Sequence, residues 1–405
     1  MGIAPDDTVS PGVLRKVVYA GSHASSFQQA HKDLKEEAEL DIADQRIMRA
    51  TKRIGQERVA ERDAATKVWA ELPLPERQAS PREQVPQVAC VEMDGGRLQI
   101  RNRKPSEEET QRTKKAGFWR EDKVGCLLSM ASTVSEEDPC PQIPKTLVDL
   151  GRMRKISREI KGFCVPDEDE STREEATSQR RAGQPEVLVR SVVATREDIH
   201  AFGKQLAAAA WQRGFAAAPR KTFVGDGQDA NWAVWRRYFS HYTPILDFIH
   251  AICYVFAAAV AGRPLREGGA IYCQWAQWVW SGEVQRVIEA LRVRQQELGL
   301  PEENEEESPR CKVADALRYL QNQESRMHYD AYRRMGLPIT SSHIESTIKQ
   351  INRRVKGTEK FWSEGGAEAL LQLAADYLSE TNPLATFWRE RPGRATGQRH
   401  YQGAA

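Results

Sequence analysis

The run Thr222-Phe223-Val224 ends in Gly225-Asp226-Gly227, and this junction constrains what the chain can become. A short apolar run that stops at a carboxylate and a glycine reads as a buried strand delivering a charge to its C-terminal edge. A charge buried there is costly unless it has a partner, often a cation. Two more carboxylates are candidates for the same cluster. Asp94 follows Val88-Ala89-Cys90-Val91-Glu92-Met93, and Glu345 closes Thr340-Ser341-Ser342-His343-Ile344-Glu345. Three carboxylates converging from separate rigid elements would bind divalent metal.

The chain has 405 residues, enough for a catalytic domain with attached modules. With 29% charged and 40% hydrophobic residues it reads as globular with polar segments. Net charge is only +2, so a nucleic-acid partner has to be argued from local patches. The seven cysteines are scattered and form no C-x-x-C pair, which fits a reducing cytoplasm better than a disulfide framework or a zinc ribbon. The apolar run 245–262 is interrupted by Asp247 and His250 and reads as a buried helix rather than a membrane span.

Residues 1–24 read as a flexible leader. Residues 25–72 turn helical, with Phe27, Ala30, Leu34 and Ala38 on one face, a break near Leu40-Asp41, then Ile42, Ile47, Ala50 and Ile54. Two short helices around a tight turn suggest a helix-turn-helix whose second helix shows Arg46, Arg49, Lys52 and Arg53 to DNA. A solvated helical hairpin competes with that reading. Residues 73–87 hold four prolines and read as a linker. Val88–Met93 reads as a strand, Asp94-Gly95-Gly96 as a hairpin turn, and Arg97–Arg101 as the returning strand. Phe118–Met130 is another strand. Residues 133–185 form an insertion with a helix near 144–161 and a charged run, Asp167–Arg181, expected to be disordered.

Strand 186–193, a helix from Ile199, the strand ending at Asp226, a helix burying Trp232, Trp235 and Phe239, and a short strand at 244–246 follow. That order predicts an α/β fold: a mixed sheet with helices packed on it, its first part spanning 88–246. Residues 247–335 read as an all-helical insertion before the last catalytic helix. That helix starts near Ser342, belongs to 336–380, and buries Ile344, Ile348, Ile351 and Val355. A final helix covers 363–378, and 381–405 read as a frayed tail. Lys349, Asn352, Arg353 and Lys356 share the face that Glu345 begins, where they could set DNA phosphate beside metal. The tryptophans at 275, 278 and 280 could stack on a flipped base, though core packing is the commoner use.

Three blocks carry a resemblance: Val91-Glu92-Met93-Asp94-Gly95-Gly96-Arg97, Val224-Gly225-Asp226-Gly227, and Gly336-Leu337-Pro338-Ile339-Thr340-Ser341-Ser342-His343-Ile344-Glu345. In order and content they resemble the blocks of a DDE transposase, nearest to the ISKra-type bacterial insertion-sequence transposases, from about residue 25 to 380. The resemblance implies a ribonuclease-H-like core, two Mg²⁺ or Mn²⁺ ions, and strand cleavage and strand transfer on double-stranded DNA. It also implies a homo-oligomer on DNA in the cytoplasm, associated with the nucleoid, with no membrane partner. Asp94, Asp226 and Glu345 would be the catalytic metal ligands. Asp247-x-x-His250 resembles a motif that follows the second aspartate in transposases with a helical insertion. It would support the site, with Asp247 the substitute if Asp226 is not a ligand. Two other readings stay open: a nuclease on the same fold, and a truncated or domesticated copy that only binds DNA.

Overall fold

The computed structural model describes residues 9–101, 117–161, 183–302 and 307–394, with isolated positions between them. The charged run 167–181 lies outside the described residues. Helices α1 (Pro11–His23), α2 (Phe27–Ala38) and α3 (Asp44–Glu71) come first. Strand β1 (Val88–Ile100) pairs antiparallel with β2 (Trp119–Ala131), and β2 with β3 (Glu186–Thr195). Helix α4 (Leu150–Lys161) lies in the connection between β2 and β3. Next come α5 (Ile199–Gln212), β4 (Arg220–Gly225), α6 (Asp229–Tyr238) and β5 (Thr243–Leu246).

The sheet order is β3-β2-β1-β4-β5, with β4 and β5 parallel to β1 and a two-residue β6 (Phe361–Trp362) joined to the far end of β1. The expected mixed sheet flanked by helices is therefore present. Leu206 of α5 packs at Gly125 on one face. On the other, Thr347 meets Cys126 at 3.3 Å.

Helices α7 (Phe248–Val260), α8 (Leu265–Trp280), α9 (Val284–Leu298) and α10 (Pro309–Gln323) form the insertion. No strand occurs in it among the described residues. Phe248, Phe256, Tyr272, Trp280 and Tyr329 interlock there, and the Tyr329 hydroxyl donates to the Leu246 carbonyl at 3.0 Å, tying insertion to sheet. Trp275 and Trp280 are core residues, and Arg286 lies 4.2 Å over the Trp278 ring. Base stacking is thus closed to the first two. Helices α11 (Ser342–Val355) and α12 (Glu364–Leu378) complete the core. Among the described residues no helix is long and apolar enough to cross a membrane.

Several elements differ from the sequence expectation. The leader carries α1, started by Pro11 behind a Ser10 cap, because Leu14, Val17 and Val18 find partners on α2, α3 and α12. The second helix of the expected helix-turn-helix is the start of a 28-residue helix, α3. Its later turns dock on α12 through Arg58 with Asp376 and Arg62 with Glu368. Arg46 and Arg49 are exposed, while Lys52 and Arg53 are half-buried and Lys52 packs at Gly366. The expected tail continues as a helix over Pro383–Arg394, burying Leu384 and Phe387.

The largest difference concerns Asp94-Gly95-Gly96. It is no hairpin turn: β1 runs straight through it, paired with β2 from Val88 to Gln99. A side chain at Gly96 would lie 2.7 Å from the Asp122 carboxylate, so glycine here answers a close approach from the neighbouring strand.

A candidate metal centre at the edge of three parallel strands

The register of β1, β4 and β5 decides where the aspartates fall. Glu92 is level with Val224, and Val224 with Ile245. Two residues further along each strand stand Asp94, Asp226 and Asp247. The ladder continues to that level, since the Asp247 N–H donates to the Gly225 carbonyl at 2.8 Å. Adjacent strands lie about 4.8 Å apart, so three aspartates line up along one edge of the sheet.

Helix α11 brings Glu345 over this edge, and two buried carboxylates hold its start. Asp247 Oδ1 accepts from the Ser341 N–H at 2.8 Å, and Glu92 Oε2 from the Ile344 N–H at 2.9 Å. The first N–H groups of a helix have no partner within it, and a carboxylate satisfies them and favours the positive end of the dipole. Glu92 is thus a helix anchor. Its position two residues before Asp94 on a strand was the signal for it, because i and i+2 share a face.

Asp247 Oδ2 also accepts from the His250 N–H at 2.9 Å and lies 2.6 Å from His250 Nδ1, so the dyad at the start of α7 fixes the imidazole. Among the described residues one group of three potential ligands has its ligand atoms all within 4.8 Å of one another: Asp247, His250 and Glu345. Asp94 and Asp226 are outside that group. They are nevertheless electrostatic neighbours: burial, then the Asp226 charge, pushes the Asp94 carboxyl up to about 6, and Glu345 adds to it. Burial and then Asp247 raise Glu345. Asp226 Oδ1 accepts from the Gln228 N–H and Asn231 Nδ2, and Oδ2 from Gln228 Nε2, at 2.8–3.0 Å. Two carboxylate oxygens offer about four acceptor positions, so one direction remains for a cation.

The donor chemistry fits the implied ions. Asp94, Asp226 and Glu345 supply carboxylate oxygen, which suits Mg²⁺ or Mn²⁺. The His250 nitrogen would favour Mn²⁺ of the two. Asp247, like Asp226, takes three hydrogen bonds and keeps one acceptor position, but its donors belong to the starts of α7 and α11, so it braces the centre as well as standing beside it.

Asp94, His250 and Glu345 open into a cleft of about 810 Å³ whose other lining includes Lys349, Asn352 and Lys356. Arg353 does not line it. Helix α4 forms the opposite wall, contributing Arg152, Ile156 and Glu159, and Glu159 pairs with Lys349 at 3.6 Å. The sequence marked α4 as an inserted helix but gave no sign that it faces the site, because that placement depends on its packing against α7.

A pH dependence follows. Burial pushes Glu92 up to about 8 and Asp94 up to about 6, against ordinary values of 4.5 and 3.8. Both folded values are raised, so the folded state holds extra protons in that window. The stability they contribute is complete below the ordinary carboxylate range and is lost as pH rises through about 6 and then about 8. In chelator, unfolding free energy should fall between about pH 5 and 8 with a slope of up to about 1.4 kcal/mol per unit for each titrating group. Glu92→Gln keeps an acceptor for the Ile344 N–H and should flatten the upper part of the profile. Denaturant titrations across pH test this, and an unchanged profile in that variant would remove Glu92 from the account.

No protein-family model matches the chain, and no curated protein matches it.

Proposed function

We propose that the chain is a metal-dependent DNA phosphoryl transferase, a DDE-type transposase on a ribonuclease-H-like core. The observation that carries this reading is the level row of Asp94 on β1 with Asp226 and Asp247 just past the ends of the adjacent parallel strands β4 and β5, with Glu345 held over it by α11. The strand order, an antiparallel trio continued by two parallel strands, supports the ribonuclease-H-like assignment.

Asp94, Asp226 and Glu345 would hold the two Mg²⁺ or Mn²⁺ ions, which when bound stabilise charge on the attacking and leaving oxygens of a phosphodiester. The remaining work belongs to the chain. Asp247 orients the His250 ring and, with Glu92, seats α11 so that Glu345 faces the row. Lys349 and Lys356 take DNA phosphates along the cleft, and Arg46 and Arg49 on the exposed start of α3 offer a second phosphate-contacting face. Double-stranded DNA is the substrate, and the chain works as a homo-oligomer on it in the bacterial cytoplasm.

The test is incubation of the purified chain with Mg²⁺ and DNA carrying the sequences that flank its own gene. Metal-dependent nicking with strand-joined products is expected. Nicking without joining moves the assignment to a nuclease. DNA retention without cleavage in either metal moves it to a DNA-binding copy.

The cleft lining makes a sharper claim about phosphate contacts. Lys349→Ala with Lys356→Ala should reduce the salt slope of duplex binding by about 2, at roughly 0.9 per phosphate contact. Arg353→Ala should leave the slope unchanged. Fluorescence anisotropy over a salt series reads both, and equal effects in the two variants would dissolve the cleft as the DNA path.

A further inference from the structure

A second cleft, of about 550 Å³, opens between the loop after β4, helix α6 and helix α10. Its inner wall is bonded to the loop that carries Asp226. The Tyr319 hydroxyl donates to the Asp226 carbonyl at 2.6 Å, and Gln323 Nε2 to the Gly227 carbonyl at 3.1 Å. Tyr319 also stacks on Tyr254 with ring centroids 3.9 Å apart. Gly227 has φ +97° and a side chain there would meet the Tyr319 ring at 2.8 Å, so it needs glycine on both counts. The insertion therefore grips the second carboxylate's loop by its backbone.

The rim carries three arginines. Arg318 is committed to Asp315 at 2.6 Å. Arg236 and Arg326 form no ion pair with a carboxylate among the described residues. Asp229 also lines the cleft, in the first turn of α6. Arg326 lies 4.4 Å over the Trp232 ring and donates to Gln323 Oε1 at 2.8 Å, which fixes the plane of its guanidinium. Burial and the neighbouring charge of Arg236 both lower its pKa, so the two guanidiniums act on each other across a cleft whose carboxylates are Asp229 and the Arg318-paired Asp315. An oriented guanidinium beside a second one matches the geometry of a phosphate group. The volume falls in the usual range for a small bound group, on the order of 300–1,000 Å³, and is too small for a duplex.

We propose that this cleft is a phosphate site for a single DNA strand, holding a phosphodiester next along the strand from the one at the carboxylate row. That placement rests on the transferase reading, because Gly227 of the cleft wall directly follows Asp226 of the row, and Tyr319 and Gln323 hold both carbonyls. Arg236 and Arg326 bind the phosphate. Tyr319 and Gln323 are positioning residues that keep cleft and carboxylate in register.

The test uses the full chain in chelator and a fluorescein-labelled strand of about ten thymidines, read by anisotropy over a salt series. Arg236 is exposed, so Arg236→Gln leaves the fold intact, which circular dichroism checks. Arg236→Gln and Arg326→Gln should each weaken binding about tenfold, and together lower the salt slope by about 1.4, at roughly 0.7 per contact for a single strand. Unchanged affinity and slope in Arg236→Gln overturn the proposal. So does binding of thymidine monophosphate as tightly as the longer strand, which would make a free nucleotide the ligand. Loss of strand binding in these variants, with no metal-dependent cleavage by the parent chain, would keep the phosphate site and refute the transferase reading.

Discussion

Asp226→Asn reduces metal-dependent strand cleavage about a thousandfold, on the order of 4 kcal/mol in barrier, while fold and DNA retention survive. The residue is 7% exposed and stands just past the end of β4, the middle strand of the three. Its oxygens take three hydrogen bonds from Gln228 and Asn231. Asparagine keeps the size and an acceptor for these donors, so the cost in stability is about 1 kcal/mol, the scale of one hydrogen bond. What it removes is the negative charge, and an uncharged amide is a poor ligand for a hard cation. The Asp94 carboxyl reports the same change independently. Asp226 is the largest charge acting on it after burial, so its pKa, raised to about 6, should move down in the variant. Gel assays read the cleavage, and carboxyl NMR shifts of Asp94 read the titration. Full cleavage by the variant would remove Asp226 from the chemistry.

Arg58→Ala lowers the free energy of unfolding by about 3–5 kcal/mol, the largest stability effect expected of a single replacement here. Arg58 Nε and Nη2 donate to the two oxygens of Asp376 at 2.8 and 3.2 Å, and Asp376 is 5% exposed. Burial raises the Asp376 pKa even with the guanidinium present. Removing the cation leaves a buried carboxylate supported by Gln372 Nε2 at 2.9 Å and little else. The pair also ties α3 to α12, so the loss should loosen α3, the helix that carries Arg46 and Arg49. Urea unfolding measures the change. Arg58→Met with Asp376→Leu should recover most of it, because apolar replacement of a buried pair is often neutral. A single variant as stable as the parent would mean that α3 docks by packing alone.

Much of the core was legible because its strands are short, apolar and punctuated. The strand before Asp226 announced itself by Phe223-Val224 and two glycines, and the stripe of α11 by isoleucines at helical spacing. The reading failed where a distant residue overrode a local rule. Asp-Gly-Gly is a strong turn signal, yet Asp122 from β2 fills the space beside Gly96 and keeps β1 extended. The apolar spacing in α1 was present, but its short length and flanking Pro, Gly and Ser hid it. Asp247 could be marked as notable from its spacing to His250. Its level with Asp94 and Asp226 could not, since register between parallel strands is set by the whole sheet. Glu92 went unread for a related reason: a buried glutamate is costly until the helix N-terminus it serves is in place.

The most direct test of the carboxylate row is diffraction from crystals grown with Mn²⁺, using its anomalous signal. The account predicts density between the side-chain oxygens of Asp94, Asp226 and Glu345, lost in Asp226→Asn crystals. Mn²⁺ bound elsewhere with none beside Asp94 and Asp226, or density unchanged in that variant, would contradict it.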